Sequence, residues 1–130
     1  MKINWEEAPD VKKEIIRISQ RVGLSWVKSS SIYCFRSEGA KTRAYARIWG
    51  LSRIWQQALN LKPAYIIEVI SERFDRLSDT ERKKALLHEM AHIPKNFSGA
   101  LVPHIKRGRQ KFSMKVRKYE DNYFTRRSSN

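Results

Sequence analysis

The three histidines of the chain, His88, His92 and His104, have the spacing of metal ligands. Residues 88–92 read His-Glu-Met-Ala-His, which places two of them four positions apart. If residues 79–93 are helical, these two imidazoles lie one turn apart on one face and can reach the same ion. Glu89 is not needed as a ligand. Its carboxylate can hold the attacking water and take its proton while zinc lowers the pKa of that water, so the motif predicts one catalytic Zn²⁺ and peptide-bond hydrolysis.

A site of this kind needs a third protein ligand, and the sequence offers His104, Glu120 and Asp121. We favour His104, because the turn-rich link of residues 96–103 is long enough to fold back under the metal. A neutral imidazole at this position would complete a three-histidine site. Glu120 or Asp121 fits the alternative plan, in which a carboxylate on a following helix is the third ligand.

The residues around the motif predict the helix that must position it. Ser78 and Glu81 have the spacing of a capping box, and Pro94 is expected to end the helix just after His92. Apolar side chains would hold this helix against a core and leave the histidines facing a cleft. These side chains are Leu86, Leu87, Met90 and Ala91.

The remaining pattern predicts an α+β fold, with an N-terminal helix, a small mixed or antiparallel sheet, the active-site helix and a C-terminal helix. Asp10 is expected to cap the first helix and Gly23 to end it. Its buried stripe would be Val11, Ile15, Ile18 and Val22, and that of the last helix Phe112, Val116, Tyr119 and Tyr123. Extended segments are predicted at 26–28, 31–36, 44–49, 53–59 and 64–70, and the last is apolar enough to be covered on both faces.

Composition favours a single intracellular domain over residues 1–130, with 125–130 as a flexible basic tail. The one cysteine, Cys34, can form no disulfide within the chain. No signal sequence and no membrane-spanning run is evident, so we expect a cytoplasmic protein without a membrane partner. The formal net charge of +14 exceeds what folding requires and indicates a polyanionic partner such as nucleic acid.

Basic residues crowd the segment after His104 and could follow a phosphate backbone. They are Lys106, Arg107, Arg109, Lys111, Lys115, Arg117 and Lys118, and Arg126 and Arg127 extend them into the tail. Trp26, Trp49 and Trp55 could stack on unpaired bases, although tryptophans in a small sheet are more often core residues. The alternative function is therefore a basic nucleic-acid-binding module with a structural zinc and no peptidase activity.

The string at 88–92, followed by Phe97-Ser98-Gly99, Pro103-His104 and a basic helix, resembles the SprT-like zinc metallopeptidases and the related phage and archaeal metallopeptidases. The resemblance implies a minimal zincin-like domain with His88, His92 and His104 as ligands and Glu89 as general base. It also implies a protein or peptide substrate. The Spartan branch of that group cuts proteins crosslinked to DNA, which would account for the charge and suggests single-stranded DNA as a partner.

The same resemblance assigns roles to other parts of the chain. The strand at 64–70 would flank the cleft and pair with an extended substrate, as a strand does in zincins. Apart from the resemblance, the hydrolysis needs a group that stabilises the oxyanion, and Tyr119 and Tyr123 are the nearest candidates, although helix packing is the simpler interpretation of both. Larger relatives carry an additional zinc ribbon, for which one cysteine is too few.

Overall fold

The computed structural model describes residues 2–104 and 112–125, and in these ranges the chain forms one four-stranded sheet and five α-helices. The strands are β1 (Asn4–Glu7), β2 (Ile32–Glu38), β3 (Ala46–Gly50) and β4 (Tyr65–Ile70). The helices are α1 (Pro9–Val22), α2 (Arg53–Leu59), α3 (Ser71–Phe74), α4 (Asp79–Met90) and α5 (Phe112–Thr125). The predicted α+β class is confirmed.

The sheet is mixed, with the order β1-β2-β4-β3. β2 and β4 run parallel, while β1 is antiparallel to β2 and β3 is antiparallel to β4. β4 is therefore an inner strand, and every residue in it except Ile66 is buried, as its apolar sequence predicted. β1 and β3 form the two edges.

One face of the sheet packs against helices α1 and α4, helix α5 packs against both of these helices, and the core lies between these elements. Side chains of alternate strand residues reach this core, among them Ile32, Cys34, Ala46, Tyr65, Ile67 and Val69. The stripe of α1 is buried as predicted, and so are Phe112, Tyr119 and Tyr123 of α5, with Val116 half-buried. None of the described helices is both long and apolar enough to cross a bilayer.

Two of the predicted extended segments are wrong. Residues 53–59 form helix α2, which begins after Ser52 and ends at Asn60 in the left-handed conformation (φ 56°). The run is short and mixes apolar with polar residues, so its pattern alone did not distinguish a strand from a helix. Residues 26–28 lie in a turn region, where Trp26 packs partly against the core. The predictions at 31–36, 44–49 and 64–70 correspond to β2, β3 and β4.

Near the two ends of the chain, the structure differs from the prediction in three places. β1 was not predicted, because its sequence, Asn-Trp-Glu-Glu, is polar and all four residues are exposed at a sheet edge. Helix α1 begins at Pro9 with Ala8 as its N-cap residue, so Asp10 lies in the first turn instead of capping it. Proline suits the first helical position, because an N–H group there would have no hydrogen-bond partner within the helix. Thr125, expected in the tail, is the last residue of α5, and residues 126–130 lie outside the described ranges.

Candidate metal centre

Helix α4 carries the first part of the site, and its N-terminus is the predicted capping box. The Glu81 N–H donates to Ser78 Oγ (3.2 Å), and the Ser78 N–H donates to Glu81 Oε1 (3.2 Å). These bonds satisfy N–H groups that a helix start otherwise leaves without a partner. Leu86, Leu87, Met90 and Ala91 are all buried, which fixes the rotation of the helix and confirms their predicted packing role.

The C-terminus of α4 falls inside the His-Glu-Met-Ala-His string, and not after it as predicted. The helix ends at Met90, and the chain then tightens, because the His92 N–H donates to the Glu89 carbonyl only three residues earlier (3.0 Å). His88 therefore lies in the last helical turn and His92 just beyond it. The two rings still lie close together, with centroids 5.4 Å apart.

His104 joins these two residues from a separate segment of the chain. Its ring centroid lies 5.1 Å from that of His88 and 4.5 Å from that of His92. The Nε2 atoms of His88 and His104 are 3.1 Å apart. One ring nitrogen from each histidine lies within 4.8 Å of the other two, so the three imidazoles form a group that could hold a metal ion.

The orientation of His92 is set by two neighbours. Its Nδ1–H donates to the Val102 carbonyl (2.5 Å), while the Val102 N–H donates to the His92 carbonyl (2.7 Å). A histidine that donates from one ring nitrogen keeps the other free to bind a metal. Phe112, the first residue of α5, stacks on the His92 ring at 4.3 Å and also contacts His88 and His104 edge-on. Phe112 thus forms an apolar cover on the histidine group.

The segment that leads to His104 is anchored to the sheet and to α2. The Tyr65 hydroxyl accepts the Gly99 N–H (2.8 Å) and donates to the Ala100 carbonyl (2.8 Å). The side-chain amide of Gln56 donates to the carbonyls of Leu51 and Ser98 (2.7 and 2.8 Å). These bonds hold the link of residues 96–103 in one path under α4.

Burial shapes the protonation of the site. Loss of solvent lowers the pKa of His88, with smaller contributions from His92 and His104. Burial also lowers the pKa of His92, against the bond to Val102, which raises it. Both shifts favour the neutral imidazole, which is the form that binds metals. Burial raises the pKa of Glu89 to about 7, because its carboxylate sits largely out of water.

A cleft of about 430 Å³ opens beside His88 and Glu89. It is lined by residues 44–46 at the start of β3, by Leu77 and α4, and by Val116 and Glu120 of α5. The exposed edge beside this cleft is that of β3. The prediction that the strand at 64–70 pairs with substrate is therefore wrong. This strand is β4, which is hydrogen-bonded on both sides, to β2 and β3, and has no free edge.

A family model described as "putative phage metallopeptidase" matches residues 3–127 of the chain. The chain belongs to this metallopeptidase family. No curated protein and no solved structure matches it. The match covers β1 through α5 and so includes all three histidines and Glu89.

The donor set fits the metal ion that membership in a metallopeptidase family implies. Three imidazoles converge with ring nitrogens within 4.8 Å, and one of them is oriented by a backbone carbonyl. Glu120 lines the neighbouring cleft but is not part of the histidine group, and Asp121 is exposed on α5. Among the described residues, the structure thus brings together His88, His92 and His104 and leaves both acids outside.

Other predicted site residues fall in different places. Tyr119 and Tyr123 are buried in the packing of α5, and neither lines the cleft. Lys115 is half-buried with its ammonium 5.9 Å from the centre of the Tyr119 ring, whereas Arg117 and Lys118 are exposed. The other basic residues named for nucleic-acid contact lie outside the described ranges; they are Lys106, Arg107, Arg109, Lys111, Arg126 and Arg127.

Four residues that support the site were not recognised in that role from the sequence. The Val102 carbonyl is a backbone group, which no side-chain pattern indicates. Tyr65 was assigned only to a buried strand, and Gln56 lay in a segment predicted to be extended. Phe112 was predicted as a core residue, and only the fold reveals that this core borders the histidines.

Proposed function

We propose that this protein is a zinc-dependent endopeptidase in which His88, His92 and His104 hold one ion and Glu89 is the general base. The observation that carries the proposal is the convergence of three imidazoles beside a buried carboxylate at one end of a cleft. Neutral nitrogen ligands favour zinc among the common cellular metals. Family membership supports the same reaction class.

When bound, a zinc ion would act as a Lewis acid that polarises the peptide carbonyl. It would also lower the pKa of a water molecule, which then loses a proton readily and becomes a stronger nucleophile. Glu89 takes the proton of the attacking water and returns it to the leaving amine. Burial raises the pKa of Glu89 to about 7, so its carboxylate is a stronger base than that of an exposed glutamate and is suited to accept this proton. Phe112 and the segment around Val102 keep the imidazoles in place and exclude water from one side of them.

The edge of β3 provides a place for an extended substrate. The Ile70 N–H donates to the Tyr45 carbonyl and the Leu51 N–H donates to the Ala64 carbonyl, so odd-numbered residues face β4. In an antiparallel ladder, the backbone groups of Ala46 and Ile48 then point outward. A peptide could add there as a further strand, with main-chain bonds that place it along the cleft.

The net charge supports a substrate class, which is protein bound to DNA or another nucleic acid, as in the SprT-like resemblance. A chain with a net charge of +14 concentrates polyanions near its surface, and Arg117 and Lys118 are exposed on α5 near the cleft. We also propose a cytoplasmic location, where such substrates are available.

The direct test is the substitution Glu89→Gln, measured by cleavage of a fluorescently labelled unfolded protein. Glutamine keeps the shape of the side chain but cannot accept the proton, so the cleavage rate should fall at least about 100-fold. Zinc content should stay at the wild-type level because Glu89 is not a ligand. Glu120→Gln is the matched control, since Glu120 lines the same cleft, and its cleavage rate should change little.

Unchanged cleavage by the Glu89→Gln protein would contradict the assigned role of Glu89. Loss of zinc in that variant would instead move Glu89 into the ligand set. Absence of cleavage in the wild-type protein with zinc bound would favour the alternative function, a nucleic-acid-binding module with a structural zinc.

A further inference from the structure

The face of the sheet opposite the metal centre carries exposed aromatic side chains. Because side chains alternate along a strand, Ile48 faces the helices while Trp49 faces the open side. Trp5 of β1 and Trp49 of β3 lie at the two edges of this face and are 54% and 50% exposed. Tyr33 of β2 is also exposed and lies across Ile66 from Trp49. Large aromatic surface of this kind marks an interaction site more often than a solvated face.

The two indoles are held in place by one buried carboxylate. Glu68 of β4 has no exposed surface and lies between the two edges of the sheet. Its oxygens accept the indole N–H of Trp5 (3.1 Å) and that of Trp49 (2.8 Å). The guanidinium of Arg47 neutralises the same carboxylate at 2.7 Å and lies over the Trp49 ring, 5.1 Å from its centre. The ring planes are therefore fixed before any ligand arrives.

Two cavities lie along these rings. The first, about 450 Å³, is lined by Trp5, Phe35, Trp49, Ile66 and Glu68. The second, about 570 Å³, continues past Tyr33 and Trp49 to Leu61 and Lys62. Because both indole N–H groups are already bonded to Glu68, the rings offer their faces to a ligand and keep no free donor of their own.

We propose that this open face binds unpaired bases of single-stranded nucleic acid, with Trp5, Trp49 and Tyr33 as stacking platforms. Flat indole rings whose N–H groups are already bonded suit bases of any sequence, because every base has a π-face but each differs in its hydrogen-bonding edge. A single strand exposes those π-faces, whereas a duplex stacks them inward. The inference goes beyond the proposed peptidase activity and needs no cleavage to be true.

The distribution of charge selects this occupant over a second copy of the chain. Two copies with a net charge of +14 each repel one another, whereas a phosphate backbone is attracted. Along the open face, Glu7 is exposed at the β1 edge, while Lys62 is exposed and lines the second cavity together with Trp49 of β3. The phosphates of a bound strand are therefore expected on the β3 side, with bases directed across Trp49 towards Trp5.

The experiment measures binding of a fluorescein-labelled single-stranded oligothymidylate of about 12 nucleotides, a length within the usual range for such sites. It compares the wild-type protein with the double variant Trp5→Ala, Trp49→Ala, in which Arg47 still pairs with Glu68. Loss of each stacking ring should weaken binding at least about fivefold. The control is Trp55→Ala, because Trp55 on α2 is 57% exposed but lines neither cavity, and its affinity should stay within about twofold of wild type.

Two further measurements separate stacking from charge and from damage to the fold. Trp5→Phe with Trp49→Phe keeps the rings and removes the N–H groups, so it should retain more affinity than the alanine pair. A duplex of the same length should bind more weakly than the single strand. Wild-type protein and Glu89→Gln should bind equally well, so failure of the peptidase proposal would not affect this result.

Three results would overturn the inference. Affinity unchanged in the double alanine variant would place nucleic-acid contact on basic residues elsewhere. A wild-type dimer in sedimentation that the alanine pair converts to monomer would make a second copy the occupant. Slower protein cleavage in the alanine pair with unchanged oligonucleotide binding would make the face a contact for the protein substrate.

Discussion

At the scale of single residues, two buried polar side chains, His92 and Glu68, are oriented by specific partners. His92 donates to a backbone carbonyl and stacks on Phe112, and this leaves one ring nitrogen directed at the other histidines. Glu68 does the same for two indoles on the opposite face of the sheet. In both cases the hydrogen bond already restricts the side chain in the folded protein. Less conformational entropy is therefore lost when a ligand binds.

The lowered pKa of Glu68 predicts how the stability of the folded protein depends on pH. Burial alone would raise its pKa, but bonds from Arg47, Trp49 and Trp5 outweigh burial and lower the pKa from 4.5 to about 2. A lowered pKa in the folded state stabilises the protein above pH 4.5, and this contribution is lost as the pH falls towards 2. The difference corresponds to about 3 kcal/mol of unfolding free energy.

The measurement compares wild type with Glu68→Gln by chemical denaturation at several pH values between 6 and about 2.5. Glutamine does not titrate and leaves Arg47 without its counter-charge, so the variant should be less stable at pH 6. The gap between the two proteins should narrow as the pH falls. Parallel curves would show that Glu68 does not carry this pH dependence.

At the scale of elements, the site depends on how α4 ends and on the path of the link that follows. Gly99 is central to that path, because its backbone is left-handed (φ 95°) and lies against the Leu51 carbonyl and the Gln56 amide. Gly23 at the end of α1 is also left-handed (φ 82°), but no atom lies within 4 Å of the position of an added methyl group. The two glycines therefore share a backbone constraint and differ in surroundings.

We expect Gly99→Ala to be more destabilising than Gly23→Ala. Each pays a backbone cost of about 1–2 kcal/mol, but only at Gly99 must the new methyl displace backbone and amide atoms, which adds at least about 1 kcal/mol. Gly99→Ala should also weaken zinc binding, because His104 follows this link, while Gly23→Ala should not. Chemical denaturation and zinc titration of both variants test this, and equal effects on zinc affinity would contradict it.

Elements with a clear pattern were predictable from sequence, and the others were decided by tertiary contacts. The capping box at Ser78, the stripe of α1 and the apolar β4 each combine a local signal with burial, so their predictions are confirmed. Helix α2 buries none of its residues and β1 is a polar edge strand, so neither carries a pattern that specifies its structure. The end of α4 at Met90 depends on the bonds between His92 and Val102, which join residues ten positions apart.

At the scale of the whole molecule, the sheet separates two surfaces with different chemistry. The helical side holds the histidines and the cleft, the open side holds the pinned tryptophans, and β3 borders both. The histidine spacing in the sequence predicted the first surface. For the second surface, the sequence analysis named Trp49 as a possible stacking residue but not its partners, because only strand order reveals that Trp5, Glu68 and Trp49, far apart in sequence, share one face.

The central claim is that three parts of the molecule, α4, its C-terminal turn and the link to His104, together hold one zinc ion. The measurement that tests it most directly is zinc content by mass spectrometry for wild type, His104→Ala and Glu120→Ala purified identically. We predict about one zinc per chain in wild type and in Glu120→Ala, and a large loss in His104→Ala. Full zinc retention in His104→Ala, with loss in Glu120→Ala, would contradict the three-histidine centre and make Glu120 the third ligand.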